Sequence, residues 1–263
     1  MLRNIIQVIS LVLLVVAGFL LLVPHLLLVG WILWVIGLLI LLLCQVKFRK
    51  HLLLIYLSVA ILGLIPINTN IALSHIVIMG LSLVVTIVGP YLVSKYLYKE
   101  KIIKYPLTNG YWHWWHYGYI LLTALLGYLI LPFWMQHTGD YMNWAFTDSP
   151  RSLITLFLGT NALGIWDEVF FVITCLALFS KHISFKWANL VQATLWTSFL
   201  FDLGFRSWIP ALIFPFALLQ GLVFKRTHSL LYILAIHLSL DFTLYLALIN
   251  AHYPHLINIF VTR

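Results

Sequence analysis

Apolar residues in this chain come in long unbroken runs, without the two-residue alternation of a half-buried strand or the narrow stripe of a soluble helix. The runs fall at roughly 4–23, 26–46, 51–67, 71–94, 112–135, 151–180, 187–205, 207–224 and 229–250. Most are close to the ~20 residues that an α-helix needs to cross the hydrocarbon core of a bilayer. The pattern predicts an all-α, polytopic transmembrane helical bundle of eight to nine spans, because a helix satisfies its backbone N–H and C=O groups within its own segment. Pro24, Pro66, Pro132 and Pro150 lie at or near the junctions of the runs, where a missing N–H costs little. Pro90, Pro210 and Pro215 lie within runs and are expected to kink or break them.

Composition agrees with this reading and narrows the partners. Charged residues make up 8% of the chain and hydrophobic ones 63%, against ~25% charged in soluble domains, which excludes a soluble core. The net charge of +8 does not indicate nucleic acid, because the bases sit in short loops between runs. With nine spans, Arg3, the loop 47–50, the segment 95–104, the loop 181–186 and Lys225-Arg226 share one side and hold 12 of the 15 basic residues. The opposite side carries Asp140 and Asp148. The positive-inside rule then predicts a multi-pass cell-membrane protein with a cytoplasmic N-terminus, an extracytoplasmic C-terminus and anionic lipid as a partner. The first run resembles a signal sequence but exceeds the usual ~7–15-residue apolar region and has no small-x-small cleavage site, so it reads as an uncleaved span. Cys44 and Cys175 lie in apolar runs and form no disulfide framework.

The polar positions inside the runs carry the chemistry. The chain has seven acidic residues, and four of them, Asp167, Glu168, Asp202 and Asp241, fall within runs of the C-terminal half, with His237 and the nearby Arg206. A carboxylate in hydrocarbon costs several kcal/mol, so such acids mark a task or a partner. This asymmetry divides the chain into an N-terminal scaffold, 1–105, and a C-terminal functional region, 106–263. Thr160, Gly164, Asp167, Phe171 and Thr174 form one helical stripe, with Asn161, Glu168 and Cys175 beside it. Gln192, Phe199 and Asp202 share one face of the next run, and in the last run His237, Asp241 and Tyr245 follow at four-residue steps. Asp167, Glu168, His237 and Asp241 are therefore expected to make one polar site suited to acid–base work or a proton relay. His113 and His116, within the segment 111–117, are spaced to share a metal. Without a third ligand the segment reads instead as an aromatic belt at the interface. No cofactor motif is present, and a divalent metal at the polar site is left open.

At these residues the chain resembles the CPBP family of CAAX-protease and bacteriocin-processing (Abi) membrane proteins, which includes the type II CAAX prenyl endopeptidases. The family's E-E-x-x-x-R motif aligns with Asp167-Glu168-Val-Phe-Phe-Val172, its F-x-x-x-H motif with Phe201-Asp-Leu-Gly-Phe205, and its H-x-x-x-N/D motif with His237-Leu-Ser-Leu-Asp241. The resemblance covers roughly residues 150–250. It implies a four-helix catalytic-type core in which the first acid activates water and the histidines and Asn/Asp stabilise the oxyanion. Here aspartate replaces the first glutamate, Val172 the arginine and Phe205 the second-motif histidine. The resemblance thus implies a membrane protein with an incomplete protease site, one that binds or positions a membrane or envelope protein partner. An active, divergent endopeptidase acting on a membrane-anchored substrate and a small proton-coupled transporter are the alternatives.

Overall fold

The structure, a computed structural model, describes residues 2–108, 110 and 112–262, with side chains from residue 5 onward. Among the described residues there are nine long helices and no strand: α1 Leu2–Leu22, α2 Leu27–Leu42, α3 Val46–Leu64, α4 Leu73–Leu97, α5 Trp114–Thr138, α6 Pro150–Phe179, α7 Phe185–Leu203, α8 Pro210–Thr227 and α9 Leu230–His252. Each apolar run has become a helix. By length and composition five of them, α1, α4, α5, α6 and α9, can cross a membrane. The chain is a multi-pass helical membrane protein. At 16 residues and 1.5 Å per residue, α2 reaches about 24 Å, short of the ~30 Å hydrocarbon core.

Some boundaries differ from the sequence pattern, each for a local reason. α3 starts at Val46 rather than near 51, which draws Lys47, Arg49 and Lys50 into its first turn. Arg49 Nη1 reaches back to the carbonyl of Leu42 at 2.9 Å, satisfying the end of α2 across the short turn. Pro132 lies inside α5, which continues to Thr138 and stops at Gly139 in the left-handed conformation. Pro210 opens α8, where its missing N–H is one that no helix would use.

Packing brings the C-terminal helices around one centre. α9 lies along α5 and against α6, α7 pairs with α8, and α1 covers α7. Trp166 of α6 donates to the carbonyl of Leu83 on α4 at 2.8 Å, tying the two halves together. One apolar cluster runs from Leu14 on α1 through Ile55 on α3 and Phe171 on α6 to Ile233 on α9.

On the side that carries most of the basic loops, three residues form a clamp. His51 Nε2 lies 2.9 Å from the Glu100 carboxylate, and His51 Nδ1 lies 2.8 Å from His182 Nε2. His182 sits in the loop between α6 and α7, where burial, with His51 and Lys181 beside it, lowers its pKa to about 4, while Glu100 opposes the shift. An unfolded histidine titrates near ~6.5, so His182 contributes stability above that pH and loses it as pH falls toward its folded value. In detergent, the Tm of the wild-type chain is therefore expected to fall more steeply than that of His182→Asn between about pH 6.5 and pH 4. Parallel curves would remove His182 from the linkage.

Candidate functional site

α6 changes character at the paired acids. Pro150–Asp167 is α-helical, Glu168–Cys175 is π-helical, and Leu176–Phe179 returns to α. The wider turns follow the i→i+5 pattern, and the Thr174 hydroxyl accordingly donates to Val169 five residues back, at 2.9 Å. The change of register ends the stripe expected from 3–4 spacing. Thr160, Gly164 and Asp167 border a cavity, whereas Phe171 turns into the aromatic core and stacks on Trp196 at 5.8 Å.

Glu168 is fully buried. Its Oε1 accepts from Gln220 Nε2 of α8 at 2.6 Å and lies 2.9 Å from His237 Nδ1 of α9. Gln220 Nε2 also donates to the Ile233 carbonyl at 3.2 Å, and two acceptors on one side fix the orientation of the amide. His237 Nε2 stands 3.6 Å from Asp241 Oδ1, an ion-pair distance too long for a hydrogen bond. The imidazole is stacked on Trp196 at 5.5 Å and meets the edge of Phe216 at 5.8 Å. Asp167 lies alongside, within electrostatic reach of His237 and Asp241. The four residues singled out by sequence are thus brought together.

Two features of the backbone make this convergence fit. A Cβ at Gly164 would overlap the Asp241 carboxylate and come within 3.0 Å of His237 Cδ2, so α9 lies against α6 through a glycine. At Gly204, φ of +124° ends α7 and turns the chain into Phe205. Several buried polar atoms here have no hydrogen-bond partner: Asp167 Oδ1, Glu168 Oε2, Gln220 Oε1, Trp196 Nε1 and Asp241 Oδ2. Each such group costs ~1–3 kcal/mol when it stays unpaired, and five of them lie together here.

The cavity beside them has a volume of about 450 Å³ and lies among α5, α6, α8 and α9. Asp167, His237 and Asp241 form its polar border, and most of the remaining wall is leucine, isoleucine and phenylalanine. Phe205 also borders it, stacked flat on Trp134 at 5.6 Å and set edge-on to Trp144 at 5.1 Å. Val172, at the arginine position of the first motif, is fully buried in the apolar core.

Three other polar features of the sequence have local roles away from this centre. Asp202 does not join the other intramembrane acids, because His25 in the turn after α1 holds it at 3.3 Å. Arg206 is exposed and does not fill the place of the missing histidine. His116 Nδ1 accepts from the His113 backbone N–H at 2.9 Å, and its ring packs edge-on against Tyr232 at 4.7 Å, so the pair caps the start of α5. Trp114, Trp115 and Tyr117 beside it are exposed, and Tyr111 lies outside the described residues. Gln220 was missed altogether. Its signal was of the same kind as that of the acids, a polar side chain in the middle of an apolar run, but without a charge to draw attention. No group of three His, Cys, Asp or Glu side chains among the described residues converges to hold a metal ion, and Glu168 already occupies one nitrogen of His237.

Residues 149–243 match the family model for type II CAAX prenyl endopeptidase Rce1-like proteins. This stretch is similar to the Rce1-like type II CAAX prenyl endopeptidases. It runs from the start of α6 into α9 and contains all four site residues and Gln220. No curated protein and no solved structure gives a significant match. Within the Rce1-like region the third motif is intact in His237 and Asp241, the first is shortened to Asp167-Glu168, and the second ends in Phe205.

Proposed function

We propose that this Rce1-like membrane protein holds a membrane-embedded segment of a partner protein in the cavity and does not cut it. Phe205 is the observation that carries the reading. Its ring, packed between Trp134 and Trp144, stands at the motif position that would carry a donor, and a missing oxyanion donor costs ~10²–10³ in rate. In this reading residues 1–105 serve as scaffold, and the clustered bases support a cytoplasmic N-terminus and an extracytoplasmic C-terminus in the cell membrane.

The protease reading retains one specific support. Asp167 and His237 border the same cavity, and Asp167 Oδ1 has no partner, so a base and an imidazole face whatever enters. One experiment separates the two readings. A photo-crosslinking amino acid at Leu212, which borders the cavity, is expected to trap a discrete membrane partner, and Leu126→Trp, which fills the cavity, is expected to suppress the adduct. Purified protein is expected to leave prenylated peptides uncut. A cleavage product that disappears in Asp167→Asn would replace the binding reading with the enzyme.

A further inference from the structure

The polar border of the cavity sets two acids against one imidazole, and Glu168 already holds the Nδ1 of that imidazole. Asp167 and Asp241 are 2% and 8% exposed, and each has a carboxyl oxygen without a hydrogen-bond partner. Among the described residues no lysine or arginine borders the cavity. Val172 holds the arginine position of the first motif inside the apolar core, and Arg206 is exposed. The wall around these acids is aliphatic and aromatic, and at ~30 Å³ per water-sized unit the space takes a chain of about a dozen heavy atoms. A carboxylate or phosphate entering it would meet two acids, and the one imidazole beside them is already engaged by Glu168 and Asp241. A hydroxyl brings one donor for two orphan acceptors. A primary ammonium brings three N–H donors and the opposite charge on an unbranched methylene stem that can lie along apolar surface.

We propose that the cavity recognises a primary ammonium on a linear apolar stem, held between Asp167 and Asp241 beside His237. Within the binding function proposed above, on which this assignment rests, its bearer is a lysine side chain of the partner's membrane segment. A lysine in hydrocarbon is costly unless an acid meets it, so an acid-lined cavity open to such a segment gives partner selectivity as well as affinity. The aspartates then act as the discriminating groups. Glu168 and Gln220, one layer behind, hold the imidazole in place.

The test uses purified full-length protein in a non-ionic detergent, with dodecylamine as the probe and thermal shift as the readout. Dodecylamine is expected to raise the Tm saturably. Dodecanol, laurate and dodecyltrimethylammonium, which keeps the charge but has no N–H, are each expected to bind about tenfold or more weakly, a difference of ~1.4 kcal/mol. Asp167→Asn and Asp241→Asn are each expected to weaken dodecylamine by a similar factor. The comparison of probes on the wild-type chain stands even if a variant fails to fold. Equal binding by laurate or by the trimethyl analogue would overturn the assignment. So would dodecylamine binding that is unchanged in both variants. A Leu212 adduct obtained without dodecylamine binding would overturn the ammonium site and leave the partner reading intact. Selective dodecylamine binding without an adduct supports the ammonium site and counts against the partner.

Discussion

Replacing Gly164 with alanine is expected to destabilise the bundle by about 1–3 kcal/mol, although it adds one methyl group and alanine is the better helix former. The added Cβ would occupy the space of the Asp241 carboxylate and press on His237 Cδ2 at 3.0 Å. Either the carboxylate swings away and gives up its approach to His237, or α9 shifts off α6. Both outcomes disturb the site, and the second also loosens the seam that α9 makes with α5 and α6. Gly159 on the same helix is the matched control, because a Cβ there meets nothing within 4 Å. Gly159→Ala is expected to be neutral or to stabilise by up to ~1 kcal/mol, the ordinary penalty of glycine in a helix interior. The comparison is made by thermal unfolding in detergent. Equal shifts for the two variants would show that the α6–α9 crossing is not set by contact at Gly164.

The sequence made the helices legible because apolar runs of membrane-spanning length have few other structures open to them. It was less informative wherever a contact joined distant parts of the chain. Asp202 obeyed the same burial argument as Asp167, and only the fold could show that its partner is His25, far away in sequence. The convergence of Asp167, Glu168, His237 and Asp241 could be anticipated, since charged groups at bilayer depth must find one another. The π-helical register after Asp167 had no signal in the spacing, so Phe171 was expected within the stripe of Thr160, Gly164 and Asp167 and instead packs against Trp196. Phe205 is different again. Its identity as a lost histidine was readable from the motif alone, but whether a neighbour replaced that histidine was not. Trp134 and Trp144 are what stand around it.

Glu168→Leu is expected to cost about 3–5 kcal/mol, the range seen when one partner of a buried ionic pair is removed. The change leaves the Gln220 amide with only the Ile233 carbonyl and leaves His237 Nδ1 facing a methyl group in a region closed to water. The triple variant Glu168→Leu, Gln220→Leu, His237→Leu should recover most of that loss, because apolar replacements of similar size have no desolvation penalty to offset. Thermal unfolding of the three single variants and the triple variant gives the coupling directly. Additive losses would mean that the three side chains are independent core fillers. Recovery in the triple variant would mean that the cluster adds little to the stability of the fold that contains it. A fold gains nothing for itself from keeping such a cluster behind the wall of a 450 Å³ cavity that His237 borders, so recovery would place the value of Glu168, Gln220 and His237 in what enters that cavity.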